Sequence, residues 1–349
     1  MDHQNKVVAV ALSGGIDSLV SGYLLKRQYK NIFGIHFTNG YEQENKDLSL
    51  IEKQLGFPVA CIDLSKEFEQ KIVRYFIDTY VNGKTPNPCI RCNKEIKFGI
   101  LLDHALKMGA DYLATGHYAS IITRDNNHYL EKGKDPLKDQ SYFLSMLSKK
   151  QLGKIIFPLA HMEKNDVKKF AVSKKLHSLS NKESQDICFI HDNDFAGFIQ
   201  KKNNITPEPG DIKDIENKIV GRHQGLHKFT IGQRRGINCP AEEPYYVQHI
   251  DMKNNILKVC FKKDLLKRTL SFSDIAWNGS NNLQLSDKKI VIKDIMTKIR
   301  YSHRGGVSTL SLNKTCGKLV FDEPQNAITP GQTAVFHKGT RVLGAGIIQ

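Results

Sequence analysis

The sequence predicts an α/β protein: a doubly wound, Rossmann-like parallel sheet first, then a small central β-rich domain and a last β domain. Three observations predict it. Strand-length apolar runs alternate with helical stripes from Val7 to Thr115, the pattern of a parallel sheet covered on both faces. After residue 203 the pattern changes to short alternating runs between polar turns, a signature of β structure. Finally, 349 residues are more than one hydrophobic core comfortably serves.

The elements follow in order. Val7–Leu12 is a continuous apolar run of strand length, closed by the Gly-containing turn Ser13–Ser18. Leu19, Tyr23 and Leu24 then recur at helical spacing. Ile32–Phe37 reads as the second strand, and Leu48, Ile51 and Leu55 form a helical stripe that stops at Gly56. Pro58–Ile62 is a third strand, and Phe68, Ile72 and Phe76 mark the next helix. After Gly83–Pro88, a helix carries Phe98, Leu101, Leu102 and Ala105 on one face and ends at Gly109. Asp111–Thr115 reads as the fourth strand, leading into Gly116-His117-Tyr118. Ligands of doubly wound sheets sit beyond the carboxyl ends of strands, so the turns at Ser13 and Gly116 are expected to face one pocket.

Turn chemistry at Thr206–Asp211 marks a domain boundary. The expected division is 1–203, 204–267 and 268–349. Runs such as Ile256–Phe261, Lys289–Ile292 and Thr333–Phe336 supply strands of the second half.

Charge points to a polyanion. The chain carries a formal net charge of +15. Residues 201–349 hold 24 Lys and Arg against 13 Asp and Glu, whereas the first 200 hold 27 against 23. A basic excess gathered in one half suits a nucleic-acid surface. The apolar stretches fall short of the roughly 20 residues that span a bilayer, and Met1–Asn5 lacks a secretory pattern. The expectations are no membrane association and a cytoplasmic location.

Seven cysteines without a secretory signal argue against a disulfide scaffold. Cys89 and Cys92 stand apart as a C-x-x-C pair in a polar, Pro-rich segment. The pair admits three readings: half of a zinc or iron–sulfur site, a redox pair, or a nucleophile on a positioned loop. Arg91, Lys94, Lys97 and a helix N-terminus are expected to favour a thiolate there. Cys188, between Ile187 and Phe189, reads on its own as a core residue.

A Ser-Gly-Gly turn between strand and helix converges backbone N–H groups on an anion. Two glycines clear the approach, and Ser13 and Ser18 add hydroxyls. The loop has no lysine, so it is not a Walker A sequence. Its Asp17 suits a Mg²⁺ ion bridging carboxylate and phosphates.

Ser13–Ser18 resembles the loop of the N-type ATP pyrophosphatases. Further matches are Thr85–Phe98 (TPNPCIRCNKEIKF), Ala114–Tyr118 (ATGHY), Lys138–Leu144 (KDQSYFL), Ser184–Ile190 (SQDICFI), Phe229–Gly236 (FTIGQRRG), Arg300–Ser302 and Thr329–Gln332 (TPGQ). In order and spacing these resemble the bacterial tRNA-specific 2-thiouridylases along almost the whole chain. The resemblance implies an ATP-pyrophosphatase catalytic domain, a central β-rich domain and a C-terminal β-barrel. It implies that ATP adenylates the C2 oxygen of the wobble uridine in a tRNA anticodon stem-loop, and that sulfur then displaces the adenylate. The sulfur arrives as a persulfide from a cysteine desulfurase or a carrier protein.

On this resemblance ATP is held by Ala11, Leu12, Ser13, Gly14, Gly15, Ile16, Asp17 and Ser18, with Phe37 and Gly116. Cys188 carries the persulfide, and Cys92 is the partner thiol that forms a disulfide with it. Asn87, Pro88 and Cys89 lie against the target base. His117, Lys138, Asp139, Gln140, Arg300, Tyr301 and Gln332 contact the tRNA. Arg222, Lys228, Arg234 and Arg235 are candidates for its phosphates.

Two departures from the family pattern stand out. Cys89 replaces an aspartate given an acid–base role in many members. The segment Thr38–Asp47 is shorter than the usual loop and lacks its cysteines and tryptophan. With Cys89, Cys92 and Cys188 present, a rival mechanism is open in which three thiolates hold an iron–sulfur cluster that delivers the sulfur. Other readings are a related ATP pyrophosphatase with a different acceptor, and a non-enzymatic RNA-binding protein.

Overall fold

The structure, a computed structural model, describes residues 5–43, 46–179, 187–190, 192, 194–203, 206–279 and 290–349. Its first layer is the expected parallel sheet. Strands β1 (Val7–Ala11), β2 (Asn31–Thr38), β3 (Val59–Asp63), β4 (Tyr112–Ala114) and β7 (Ile155–Ile156) lie in the order β3-β2-β1-β4-β7. All four pairings are parallel. The two-residue β7 was not expected from sequence.

Period-two alternation divides the apolar runs between the two faces of the sheet. Val8 and Val10 point to one core with Leu19, Ile51 and Leu55, from helices α1 (Ile16–Lys26) and α2 (Leu48–Leu55). Ala9 and Ile35 point to the other, packed by Phe68, Phe76, Phe98 and Leu101. Those residues belong to two long helices, 65–81 and 88–107, each containing a wider π-helical stretch at Glu69–Val73 and Asn93–Leu101. The strand order reverses direction between β1 and β4, so the turns after these two strands open at the switch point of the sheet.

A hairpin of β5 (Ala119–Arg124) and β6 (Asn127–Lys132), also unexpected, leaves the parallel sheet. It pairs with the last strand of the chain at Arg341 and Glu131, tying the first layer to the last. Next comes a four-stranded sheet of β8 (Gly210–Lys213), β9 (Ile219–His223), β10 (Tyr246–Asp251) and β11 (Ile256–Cys260), around Ile212, Val247, Leu257 and Val259. The remaining strands are β12 (Leu266–Trp277), β13 (Ile290–Lys298), β14 (Gly306–Leu312), β15 (Cys316–Asn326), β16 (Thr333–Lys338) and β17 (Arg341–Ile348). Antiparallel pairing runs β12-β15-β14-β13-β16-β17, and β12 pairs again with β17, closing a six-stranded barrel. Closure leaves no open edge. Of the expected run Lys289–Ile292, Lys289 lies outside the described residues. Among the described residues, no helix is long and apolar enough to cross a membrane.

Candidate active site

The turn Ser13–Ser18 takes the conformation its glycines permit. Gly14 sits at φ +78°, a region that disfavours other residues, and its carbonyl accepts from Leu179 N at 2.9 Å and Ser178 Oγ at 3.2 Å. Gly15 caps α1 with no side-chain bond, leaving the first amides of the helix open toward the crevice. Ser18 Oγ donates back to the Gly15 carbonyl, whereas Ser13 is exposed. Phe37 is half-buried near the end of β2. A Cβ on Gly116 would stand 2.9 Å from the Asp17 carbonyl carbon, so the turns after β1 and β4 touch.

Asp17 is where expectation and structure part. Its Oδ1 accepts from Lys164 Nζ at 2.7 Å and Tyr118 Oη at 2.8 Å, and its Oδ2 accepts from Lys164 Nζ at 2.7 Å. The carboxylate is already neutralised by an ammonium. Among the described residues, no three His, Cys, Asp or Glu side chains are arranged to hold a metal ion. A Mg²⁺ shared between Asp17 and phosphates would have to displace Lys164 from the carboxylate. Lys46, also not anticipated, donates to the Ser13 carbonyl at 2.6 Å, and burial lowers its pKa. Nothing in the local sequence linked either lysine to a loop over 30 residues away.

The thiols come together from two segments. Asn87 caps helix 88–107 by accepting from Ile90 N at 3.2 Å, and Pro88 takes the first helical position, where a missing N–H costs nothing. Cys89 and Cys92 follow in the opening turns. Cys188 is delivered by its neighbours: Phe189 meets Phe76 edge-on at 5.2 Å, and Phe195 stacks on Tyr80 at 5.1 Å. Asn39, which the sequence did not single out, directs its amide to Cys188 Sγ at 3.7 Å. Ser184–Asp186 of this motif lies outside the described residues.

Charge on Cys188 or Cys89 would raise the pKa of Cys92, and charge on Cys89 that of Cys188, so the three thiols form one electrostatic group. All are free. The expectation of thiolates is corrected here. Burial pushes Cys92 up to about 12 and Cys188 up to about 11, and it raises Cys89 as well. Cys188 reaches solvent on one side, yet its crowded surroundings still penalise a charge. Of the three cations expected to help, Arg91 is engaged with Glu95 at 3.0 Å and the Tyr75 ring at 4.5 Å. Lys94 is exposed. Lys97 alone lowers all three thiols, and His117 too. The π-helical stretch explains its position, because wide turns bring residues five apart toward one face, here Cys92 and Lys97. An iron–sulfur cluster, were it bound, would take Cys89, Cys92 and Cys188 as its ligands, and burial works against the thiolates it needs.

Several residues expected at the tRNA are tied down by the protein itself. Gln332 Nε2 donates to the Thr85 carbonyl at 3.1 Å and the Pro86 carbonyl at 3.0 Å. Asp139 accepts from Gly133 N, Ser141 N and Ser141 Oγ. Gln140 is bonded to Tyr118 through its side chain and backbone. His117 shares a hydrogen bond with Thr115 at 2.8 Å, and burial holds its pKa well below the usual value. Arg300 donates to the Asn326 carbonyl at 3.0 Å. Tyr301 is 40% exposed, with its ring 4.5 Å from Phe143 and Lys298 above it at 5.5 Å, a platform on which a base can stack. Lys138 is half-buried, while Arg222, Lys228, Arg234 and Arg235 are exposed.

Three family models match the chain in succession: a tRNA methyl transferase HUP domain over residues 6–192, a tRNA methyl transferase PRC-barrel domain over 197–261, and an aminomethyltransferase beta-barrel domain over 267–348. A tRNA-specific 2-thiouridylase MnmA of Desulfosudis oleivorans is 43% identical, covering 100% of this chain and 96% of the relative. Its counterpart in Syntrophotalea carbinolica is 38% identical over 100% of both. The U34-tRNA thiolase NcsA of Methanococcus maripaludis, solved with its 4Fe–4S cluster, aligns over 58% of this chain and 67% of its own. At TM-score 0.35 and 21% identity, that likeness is too slight to bear on the chemistry. Full-length identity to these relatives, with the three domain matches in order, shows that the chain belongs to the tRNA-specific 2-thiouridylase family.

Proposed function

We propose that this chain is a tRNA-uridine 2-sulfurtransferase that uses ATP to replace the C2 oxygen of a wobble uridine by sulfur. The observation that carries the reading is that Cys92 packs in the same core cluster as Ile187 and Phe189, the residues flanking Cys188, 96 positions away in sequence. The helix bearing Cys92 starts at Asn87-Pro88, and in this reading the target base lies against that segment.

In this reading the uridine oxygen attacks the α-phosphorus of ATP held at Ser13–Ser18, and pyrophosphate leaves with the bonding electrons. A persulfide on Cys188 brings the sulfur, supplied by a cysteine desulfurase or a persulfide carrier. The Cys92 thiolate attacks Sγ of Cys188, a disulfide forms, and hydrosulfide is released. Hydrosulfide adds to C2 and AMP departs, leaving 2-thiouridine. An external dithiol reduces the disulfide, which suits the reducing cytoplasm. Burial keeps Cys92 protonated until substrate binds, with Lys97 the cation that favours the thiolate. Any Mg²⁺ enters as part of the nucleotide substrate.

The units 1–203, 204–267 and 268–349 divide the work into chemistry, RNA grip and loop support. The anticodon loop, already single-stranded, offers its base at little cost. Arg222, Lys228, Arg234 and Arg235 hold its phosphates, and Tyr301 receives a base. The test is incubation with tRNA, ATP and a persulfide donor. AMP, pyrophosphate and thiolated tRNA are expected. ADP, or intact ATP, overturns the reading.

A further inference from the structure

We propose that Lys164 is a phosphate ligand for ATP: the cation the Ser13–Ser18 loop lacks, supplied from another segment and held in place by Asp17. This rests on the reading that the loop binds ATP, and goes beyond it by naming a side chain that donates to the phosphates.

The placement of Lys164 is the first argument. It is the first residue of the helix Lys164–Ser173, whose cap residue Glu163 makes no side-chain cap bond. A cation at that end opposes the helix dipole, so local helix stability does not account for a lysine there. Its side chain is only 12% exposed, and it reaches across 147 residues of sequence to Asp17 at the start of α1. The approach is built from several sides. Lys164 N donates to Asp135 at 3.0 Å, the Tyr118 ring stands 5.8 Å from the ammonium, and Gly116 lets the Tyr118 turn lie directly against Asp17.

Donor arithmetic is the second argument. An ammonium carries three N–H groups. Two are directed at the Asp17 oxygens, and the third makes no hydrogen bond among the described residues, with only the face of the Tyr118 ring 5.8 Å away. It lies beside a helix start whose free amides attract anions. In a Walker A loop, a lysine of the loop itself serves the phosphates. Here the same role is filled from outside, and Asp17 fixes the lysine in place.

Calorimetric titration of the full chain with ATP, pyrophosphate and adenosine tests this. K164M is expected to weaken ATP and pyrophosphate by about tenfold or more while leaving adenosine within about twofold, and K164R to recover most of the loss. K164M also leaves Asp17 unpaired, so the decisive comparison is D17N against D17N/K164M, neither of which strands a carboxylate. If Lys164 touches phosphate, the double variant binds ATP and pyrophosphate about tenfold more weakly than D17N. Equal ATP affinity in those two variants would show that Lys164 serves only to neutralise Asp17, and overturns the proposal. A wild-type chain that binds adenosine and ATP equally would instead overturn the phosphate-loop reading beneath it.

Discussion

Gln332, from the turn before β16, donates its side-chain amide to the backbone carbonyls of both Thr85 and Pro86. Thr85 N in turn donates to the Pro330 carbonyl at 2.9 Å. The barrel thus holds the backbone of the TPNPC segment from outside, and Gln332 contributes by setting the entry to helix 88–107. Replacing it by alanine leaves two carbonyls without a donor. Q332A is expected to lower kcat for thiolation about tenfold with ATP affinity unchanged. An intact kcat with a raised KM for tRNA would instead assign Gln332 to direct RNA contact.

Cys188 and Cys92 have separable duties in the proposed reaction. C188S is expected to abolish thiolation while AMP and pyrophosphate still form from ATP and tRNA. C92S is expected to accept a persulfide on Cys188, detectable by intact mass, without releasing its sulfur. If C92S turns over normally, the paired-thiol mechanism fails.

The pH dependence of the thiols has a definite sign. Their folded pKa values, about 12 for Cys92 and about 11 for Cys188, lie above the ordinary value of 9.0. Between those limits the folded chain binds more protons than the unfolded one. Their contribution to stability is therefore whole below about pH 9 and is lost as pH rises toward 11 and 12. Alkylation by iodoacetamide should be slow at neutral pH and climb through the alkaline range. K97M should move that profile to higher pH and K97R restore it; an unmoved profile would remove Lys97 from the thiol site.

Gly116 touches the backbone of Asp17 and Ser18, with a Cβ there falling 2.9 to 3.0 Å from main-chain atoms. Backbone cannot rotate away as a side chain can. G116A is expected to cost roughly 1–3 kcal/mol of stability and to weaken ATP binding, measured by thermal denaturation and titration. A variant with native stability and affinity would show that the two turns part freely.

Binding of tRNA should weaken with salt, whereas adenosine affinity should not. Replacing Arg234 or Arg235 by glutamine is expected to reduce the log–log salt slope by about one unit each. A slope unchanged by both substitutions would move the phosphate surface elsewhere.

Much of this protein was legible without coordinates. The period-two and helical stripes placed the first four strands and their helices, because apolar periodicity reports which face is buried. Gly14, Gly15 and Gly116 marked the two turns, because close backbone approach admits little else. The family resemblance added Cys188, which its apolar neighbours would have assigned to the core. Tertiary structure decided what periodicity cannot carry. The hairpin β5–β6 finds its partner at Arg341, a pairing made by a remote strand edge. Lys46 and Lys164 reach the Ser13–Ser18 loop because a long side chain is steered by charge and distance in space, which leave no mark on local sequence. The same folding turned the expected thiolates into thiols: the sequence counted three nearby cations, but burial outweighed Lys97, and Arg91 was taken by Glu95 and Tyr75. Residue types and their order determined which chemistry the chain carries. Desolvation and pairing, which exist only once the chain is folded, decided the charge at which each group starts.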